Sequence, residues 1–333
     1  MHVVVTTIFP PSQGAKAIAE GLSSGALWVI GDRPGPKEYP LPGTRFIDIG
    51  SQLALPFQIA SLLPERHYAR KNLGYLLAAS EGARSIVETD DDNIPLPDFW
   101  RPRNPRLDAR LATGSGWVNA YGEFAPGLSI WPRGFPLEMI RDSNPVSFGE
   151  AAPVECLIQQ GLANGDPDVD AIYRLVHQLP VDFVAREAIA LGPGCWCPFN
   201  SQNTTFFQPA FPLMYLPSFC SFRMTDIWRS LVAQRCLWEM DSRLAFQGPT
   251  MYQNRNEHRL LQDFEQEIPG YLNNDRIRRA LEKKTLDAGR QIGTVCQNLL
   301  RCYEALVEMD LLPDKELDLV RAWIADISGL NPV

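Results

Sequence analysis

The sequence predicts an α/β protein whose mostly parallel, Rossmann-like sheet is flanked by helices and followed by a C-terminal helical extension. Three observations support this fold class. Apolar, β-branched runs alternate with helical patterns near the N-terminus, polar side chains follow these runs, and residues 275–327 carry leucine, isoleucine and valine at helical spacing. Continuous apolar runs are typical of strands buried on both faces of a parallel sheet.

The N-terminal pattern consists of apolar runs separated by a helix. Residues 3–8 and 26–30 are predicted to be buried strands, and residues 44–49 a third, weaker one. Between the first two, Ser12 is a suitable N-cap for a helix. A further short apolar run, residues 84–87, precedes a series of acidic residues. This strand, helix and strand alternation indicates an α/β domain.

Composition and charge restrict the classes of function. The chain has 333 residues and a formal net charge of −8, which argues against non-specific nucleic-acid binding but allows a local basic pocket. Seven cysteines show no repeated framework, and the close pair Cys195 and Cys197 matches no zinc-site spacing. The N-terminus enters a strand directly, so we expect no signal peptide, no membrane span and a cytoplasmic location.

Three consecutive aspartates follow the run at residues 84–87. If the strand continues through them, Asp90 and Asp92 point to one side and Asp91 to the other. Adjacent carboxylates repel one another unless a cation neutralises them, and two on one side suit Mg²⁺ or Mn²⁺ with a diphosphate completing the shell. This is the logic of the DxD motif in nucleotide-sugar-dependent transferases. The alternative is a solvated acidic turn capped by Asn93 and Pro95.

Several polar residues are predicted to meet these aspartates. Ligands bind beyond the carboxyl ends of parallel strands, where Thr6, Thr7 and Asp32 also fall. We predict that they bind the base and ribose of a donor, although Asp32 also suits a simple turn. Arg70 and Lys71 lie in the first turn of a predicted helix and could hold a diphosphate, or form a solvated helix start.

Two candidates come from later in the chain. Asp226 begins a long predicted helix and is either a catalytic base or part of the N-cap. His258 is a candidate third metal ligand or a structural histidine. The spacing of Asp166, Asp168 and Asp170 is similar to the start of a calcium loop, but the glycine and distal glutamate of an EF-hand are missing. A helix N-cap followed by first-turn acids is the alternative.

Several blocks together resemble the STELLO-type glycosyltransferases. The matching stretches are residues 4–9, 29–32, 70–75, 88–93, 159–162, 166–171, 223–230 and 253–258, with Asp263 and Phe264. The resemblance extends to about residue 272 and implies a GT-A-like fold and metal-dependent transfer from a nucleotide sugar. Plant members are Golgi membrane proteins associated with cellulose synthesis, and that location and partner are not expected here because the membrane anchor is missing. The triple aspartate is also locally similar to the reversibly glycosylated polypeptides, which are mutases.

The predicted protein is therefore a metal-dependent glycosyltransferase. A GT-A-like domain is predicted over residues 1–272, with a nucleotide-sugar half to about residue 100 and an acceptor half at 101–272, followed by a helical extension at 273–333 that could form a homo-oligomer. In this prediction Asp90 and Asp91 contact the donor, Asp90, Asp92 and His258 bind Mn²⁺ or Mg²⁺, and Asp226 is the base. The acceptor is a glycan, lipid, small molecule or protein. The alternatives are a nucleotide-sugar mutase or hydrolase, and a non-catalytic scaffold.

Overall fold

The protein is built around one mixed sheet with helices packed on its faces. The computed structural model describes residues 1–142, 145–255 and 259–330. The strands are β1 His2–Thr7, β2 Ala26–Gly31, β3 Thr44–Ile47, β4 Ser85–Thr89, β5 Asn93–Pro95, β6 Arg106–Gly114, β7 Gly116–Trp117, β8 Val146–Glu155, β9 Ile158–Gly165, β10 Ala188–Leu191, β11 Cys195–Trp196, β12 Asn203–Phe207 and β13 Leu244–Gln253. The α-helices are α1 Gln13–Gly21, α2 Ile49–Leu53, α3 Lys71–Ser80, α4 Ala120–Phe124, α5 Ala171–Val176, α6 Thr225–Glu239, α7 Leu260–Lys283, α8 Ile292–Glu308 and α9 Lys315–Gly329.

The strand order separates a parallel N-terminal half from a mixed C-terminal half. Within the described ranges the main sheet runs β3-β2-β1-β4-β12-β9-β13-β10-β6-β8, with β5 paired to β13. The first four strands are all parallel, whereas β12 is antiparallel to both of its neighbours. The pair β9 and β13 is again parallel. The predicted α/β class is confirmed, and the carboxyl ends of β1, β2 and β4 meet at one edge, as the sequence predicts.

The first strand shows why an apolar run becomes the centre of the sheet. Val3, Val4 and Val5 are completely buried. Val4 joins the main core together with α3, whereas Val3 and Val5 pack with Ala15 and Ile18 of α1 on the other face. Both faces of β1 are therefore covered, which is the condition under which a strand lacks apolar and polar alternation. The predicted N-cap of α1 is present, since the backbone N–H of Ala15 donates to the Ser12 hydroxyl.

Gly74 lets α3 lie directly against the sheet. A Cβ at this position would be 2.4 Å from Val4 Cγ1 and 3.0 Å from Ile30 Cγ1. We expect Gly74→Ala to lower the free energy of unfolding by about 1–3 kcal/mol, because overpacking outweighs the gain in helix propensity. Urea unfolding measures the difference. Gly293→Ala in α8, where a new Cβ meets no atom within 4 Å, is the matched control and should be neutral or stabilising. Equal stability of both variants would contradict the close contact.

The C-terminal helices belong to the main core and are not an appended unit. The predicted boundary at residue 272 falls inside α7, and one hydrophobic cluster includes residues from Val4 to Ile327. The side chain of Asp326 in α9 accepts hydrogen bonds from the backbone N–H groups of Gln58 (2.8 Å) and Ile59 (2.9 Å). The predicted division at 272 and 273 therefore does not correspond to a break in packing. No helix in the described ranges has the length and apolar content needed to cross a bilayer.

Candidate functional site

A cleft of about 580 Å³ opens at the carboxyl ends of β1, β2 and β4. Its walls bring together seven of the predicted site residues and several other polar residues. The predicted residues in the wall are Thr6, Thr7, Asp32, Asp90, Asp91, Asp92 and Asp226. The additional polar ones are Arg33, Arg66, His67, Tyr68, Arg133, Asp168, Ser201, Gln202, Arg223, Gln253 and Arg255.

The acidic run lies in the turn between β4 and β5, so strand alternation does not decide where its side chains point. Asp91 is the member that fixes this turn to the first strand. Its carboxylate accepts a hydrogen bond from the Thr7 hydroxyl, and its backbone carbonyl accepts one from the Ser12 hydroxyl. Burial, followed by the nearby charge of Asp90, raises the pKa of Asp91, although the Thr7 hydrogen bond opposes this shift.

Asp90 and Asp92 both line the cleft, and each carboxylate is held by a different part of the chain. Asp90 Oδ1 accepts hydrogen bonds from the Tyr68 hydroxyl (2.6 Å) and from Lys71 Nζ (3.2 Å), and its side chain is 31% exposed. Gln253 Nε2, at the end of β13, lies 3.1 and 3.2 Å from the two carboxylate oxygens of Asp92. Gln253 is 161 residues from Asp92 in sequence, so β13 holds the acidic turn in place only in the folded chain.

Arg70 and Lys71 do not occupy the positions predicted for a diphosphate site. Arg70 is completely buried and donates to Gln52 Oε1 and to the Leu63 carbonyl, away from the cleft. Lys71 is also completely buried, and its ammonium donates to the Thr89 carbonyl behind Asp90. A short 3₁₀ turn before α3 rotates Arg70 inward. We correct the prediction accordingly: Arg70 supports the loop, and Lys71 balances the charge of Asp90 from beneath.

Asp32 holds one wall of the cleft through backbone hydrogen bonds. Its carboxylate accepts from the N–H groups of Arg33 (2.7 Å), Arg66 (2.9 Å) and His67 (2.8 Å). These bonds fasten the loop before α3 to the carboxyl end of β2. Asp32 and the half-buried Thr6 line the cleft, so their contact with a donor stays a prediction.

Asp226 is bound in a buried ion network that argues against its predicted role as catalytic base. Arg133 donates through Nη1 and Nη2 to its two oxygens at 3.0 and 2.9 Å, and through Nε and Nη2 to Asp168 at 2.8 and 2.7 Å. The Ser201 N–H and hydroxyl donate to the same oxygen of Asp226. Burial would raise the pKa of Asp226, but the Arg133 guanidinium outweighs it and the pKa is lowered. An ionised carboxylate that is this fully paired is a poor proton acceptor.

Two further arginines form the wall next to this network. Arg223 is 8% exposed and donates through Nε to Glu267 Oε1 at 2.9 Å, and its Nη2 lies 2.8 Å from the same oxygen without forming a well-aligned hydrogen bond. Arg255, two residues beyond the Gln253 that contacts Asp92, lies with Nη2 3.8 Å from Asp263 Oδ2. Burial, then the charges of Arg223 and Arg174, lowers the pKa of Arg255 to about 10. Neighbouring buried cations of this kind are stabilised by an anion.

The three acids at positions 166, 168 and 170 have three different partners, which excludes a calcium loop of the EF-hand type. Asp166 pairs with Arg174, and Asp168 with Arg133. Asp170 is the N-cap of α5 and accepts from the Tyr173 N–H and the Trp131 indole. The helix-capping alternative is thus observed for Asp170. The predicted metal ligand His258 lies outside the described residues.

Replacing Asp170 with asparagine is expected to flatten the pH dependence of stability. Burial raises the pKa of Asp170 from 3.8 to about 6. Because the folded protein binds this proton more tightly than the unfolded chain, the group's stabilising contribution is lost as pH rises through about 6. Asparagine removes the titration and can still accept from the Tyr173 N–H. Urea unfolding at several pH values between about 4 and 7 gives the slope, and the exposed Asp182→Asn is the control. An unchanged slope in Asp170→Asn would refute the assignment.

The fold and the cleft define an α/β protein with a mixed sheet and an acidic, arginine-faced site at the edge of its parallel strands. Residues 223–331 match the family model described as STELLO glycosyltransferases. Among named relatives, probable glycosyltransferase STELLO1 of Arabidopsis thaliana is 27% identical over 99% of this chain and 44% of its own length. Probable glycosyltransferase STELLO2 of the same plant is 31% identical over 75% of this chain and 35% of its own. The resemblance to the STELLO glycosyltransferases that the sequence predicts is confirmed.

The chain spans less than half the length of the two plant relatives. The family match continues through α8 and α9, beyond residue 272 where the sequence resemblance was expected to end. Among solved structures, glucosyl-3-phosphoglycerate synthase from Mycobacterium tuberculosis in complex with phosphoglyceric acid aligns at a TM-score of 0.39 and 12% identity, over 82% of this chain and 78% of that one.

Proposed function

We propose that this protein is a metal-dependent glycosyltransferase that moves a sugar from a nucleotide-sugar donor to an acceptor. The observation that carries the proposal is the meeting of Asp90 and Asp92 with Arg223 and Arg255 in one cleft at the carboxyl edge of the parallel strands. A diphosphate has oxygens for a cation on one side and for guanidinium groups on the other, so this division of charge fits it.

The residues present fit a divalent ion that is shared with the donor. The described part of the chain contains no group of three or more histidine, cysteine or acidic side chains arranged to hold a metal by itself. Mg²⁺ and Mn²⁺ sites in phosphoryl chemistry often use one or two carboxylates, with substrate phosphates and water completing the shell. Asp90 and Asp92 would hold the ion, which when bound stabilises the charge that develops on the leaving diphosphate.

Arg223 and Arg255 replace Arg70 and Lys71 as the proposed diphosphate contacts. Both line the cleft, and the Nη2 of Arg223, although 2.8 Å from Glu267 Oε1, makes no well-aligned hydrogen bond to it and keeps N–H donors for a ligand. Guanidinium groups bind phosphate oxygens through two parallel N–H donors. Thr6, Thr7 and the loop fastened by Asp32 would shape the space for the nucleoside. In this arrangement Asp226 accepts hydrogen bonds from Arg133 and Ser201 and thereby holds the cleft wall in position.

Calorimetric titration tests the proposal directly. UDP, GDP and ADP are titrated into the whole chain with Mn²⁺, with Mg²⁺ and with a chelator. We expect one nucleotide to bind in the micromolar range with metal and to bind at least about tenfold more weakly without it. Absence of metal-dependent binding for every nucleotide would refute the donor site and leave the scaffold alternative. Products from a labelled nucleotide sugar, with and without a sugar acceptor, then separate transfer from mutase or hydrolase activity.

A further inference from the structure

A second groove lies on the face of the sheet away from the main core and has its own polar floor and a basic rim. Its volume is about 430 Å³, and its lining shares no residue with the main cleft. The floor is formed by side chains of β9, β12 and β13 that alternate with core residues such as Ile158 and Phe206. Two neighbouring cross-strand pairs supply it, Thr205 with Gln159 and Gly161 with Gln247. On this face α1 covers the N-terminal strands, and the groove begins beyond them.

The floor of the groove is made of hydrogen-bonding side chains, whereas a sheet face inside a protein is usually apolar. Gln247 Nε2 donates to Gln159 Oε1 at 2.8 Å, and Asn203 Nδ2 donates to Thr250 Oγ1 at 2.6 Å. Gly161 permits this, because a Cβ there would lie 2.4 Å from Thr250 Oγ1. Because Gln247 Nε2 and Asn203 Nδ2 donate inside the protein, their amide oxygens remain as acceptors for a ligand, and the Thr250 hydroxyl remains as a donor. Such a surface complements sugar hydroxyls, which both donate and accept.

The rim is positive although the whole chain is negative. Four arginines and two aspartates line the groove, which gives it a net charge of +2 against −8 for the chain. Arg103 is the central cation. Its Nε donates to Thr205 Oγ1 at 3.0 Å, and its guanidinium lies 4.6 Å from the centre of the Phe99 ring. Among the described residues no carboxylate lies within 4.0 Å of it, and burial lowers its pKa to about 10. A half-buried cation without a counter-ion is a position that an anion stabilises.

We propose that this groove binds an acidic saccharide, with a carboxylate or sulfate on Arg103 and sugar hydroxyls on the amide floor. Arg106, exposed at the same rim and without an ion-pair partner in the described ranges, gives the anion a second donor. The lining contains no aromatic residue on which a nucleobase could stack, so the groove differs from a nucleotide site. The volume is within the range of small-ligand pockets. The proposal does not depend on the main cleft being a donor site.

Binding of trigalacturonic acid to the whole chain, compared with neutral maltotriose, tests the proposal. By calorimetry at low salt we expect the acidic trisaccharide to bind at least about tenfold more tightly than maltotriose, and more weakly at about 0.15 M salt. Arg103→Met keeps the packing on Phe99 but removes the charge, and should weaken binding about tenfold, the loss expected for one charge-assisted hydrogen bond. Arg106→Gln, a surface change that does not threaten folding, should weaken it severalfold.

Two controls separate this site from the main cleft and from bulk charge. Arg321→Gln on α9 makes the same change of charge outside the groove and should leave binding unchanged. A saturating concentration of UDP together with Mn²⁺ should not displace the trisaccharide. The Asp92→Asn variant should bind it as tightly as the wild type does. Equal binding of the two trisaccharides, no loss in either groove variant, or displacement through the main cleft would each overturn the proposal. Failure of nucleotide binding alone would leave it standing.

Discussion

Asp92→Asn is expected to reduce transfer from the nucleotide sugar by about a thousandfold or more while the fold stays intact. The change is nearly isosteric, and the new amide oxygen can still accept from Gln253 Nε2, which lies 3.1 Å from one Asp92 oxygen. What is lost is a negatively charged oxygen ligand for the cation that would stabilise the leaving diphosphate. Initial rates at saturating donor, measured over a range of Mn²⁺ concentrations, provide the readout.

Two matched variants make this result interpretable. Asp91→Asn changes the neighbouring carboxylate, which is already half-buried against the Thr7 hydroxyl, and should have a much smaller effect on turnover. Asp182→Asn removes an exposed charge elsewhere and should have none. Calorimetry should show that metal-dependent nucleotide affinity falls in Asp92→Asn. Full metal-dependent turnover in that variant would exclude Asp92 as a ligand and weaken the proposed mechanism as a whole.

Arg133→Met should have the largest effect on stability, with a loss of about 3–5 kcal/mol in the free energy of unfolding. The guanidinium is 5% exposed and is shared by Asp168 and Asp226, both of which are also buried. Removing it leaves Asp226 without its salt-bridge partner and Asp168 with the more distant Arg223 Nη2 at 3.8 Å, and a poorly compensated buried charge is more costly than a lost ion pair. Urea denaturation followed by circular dichroism measures the loss.

A compensated variant distinguishes this charge effect from lost packing. When Arg133→Met is combined with Asp168→Asn and Asp226→Asn, the uncompensated charges disappear, and we expect a substantial part of the stability to return. If the triple variant is less stable than Arg133→Met alone, then packing and hydrogen-bond geometry dominate over charge. Arg133→Lys should fall between wild type and Arg133→Met, because one ammonium cannot make both bidentate contacts.

The sequence predicts the edge of the sheet at which the cleft forms, because this follows from local patterns. Apolar runs define β1, β2 and β4, and parallel strands bring Thr7, Asp32 and the aspartates to one edge without any knowledge of tertiary contacts. The helix start at Asp226 is also readable from its spacing. The local sequence does not predict the partner of Asp226, because Arg133 lies 93 residues away and meets Asp226 only in the folded chain.

The positions of Arg223 and Arg255 in the cleft wall cannot be predicted from the sequence for the same reason. Arg223 and Arg255 come from a 3₁₀ turn before α6 and from the segment after β13, and neither stretch has a phosphate-binding motif. Arg70 shows the opposite error. A basic residue at a helix start suggests an anion site, but the short turn over Tyr68–Arg70 directs the side chain to Gln52 and buries it. Tertiary contacts decided both outcomes.

The anchoring of α9 has a practical consequence for fragments of this protein. Glu316 is completely buried, where it accepts hydrogen bonds from the Tyr215 hydroxyl and the Phe219 N–H. Asp326 does the same for the segment at Gln58 and Ile59, which precedes the loop fastened by Asp32. A recombinant piece cut after α7 would expose the apolar surfaces beneath α8 and α9 and release both segments. Any minimal expressible unit must therefore retain the last helix, and terminal tags or fusions belong beyond it.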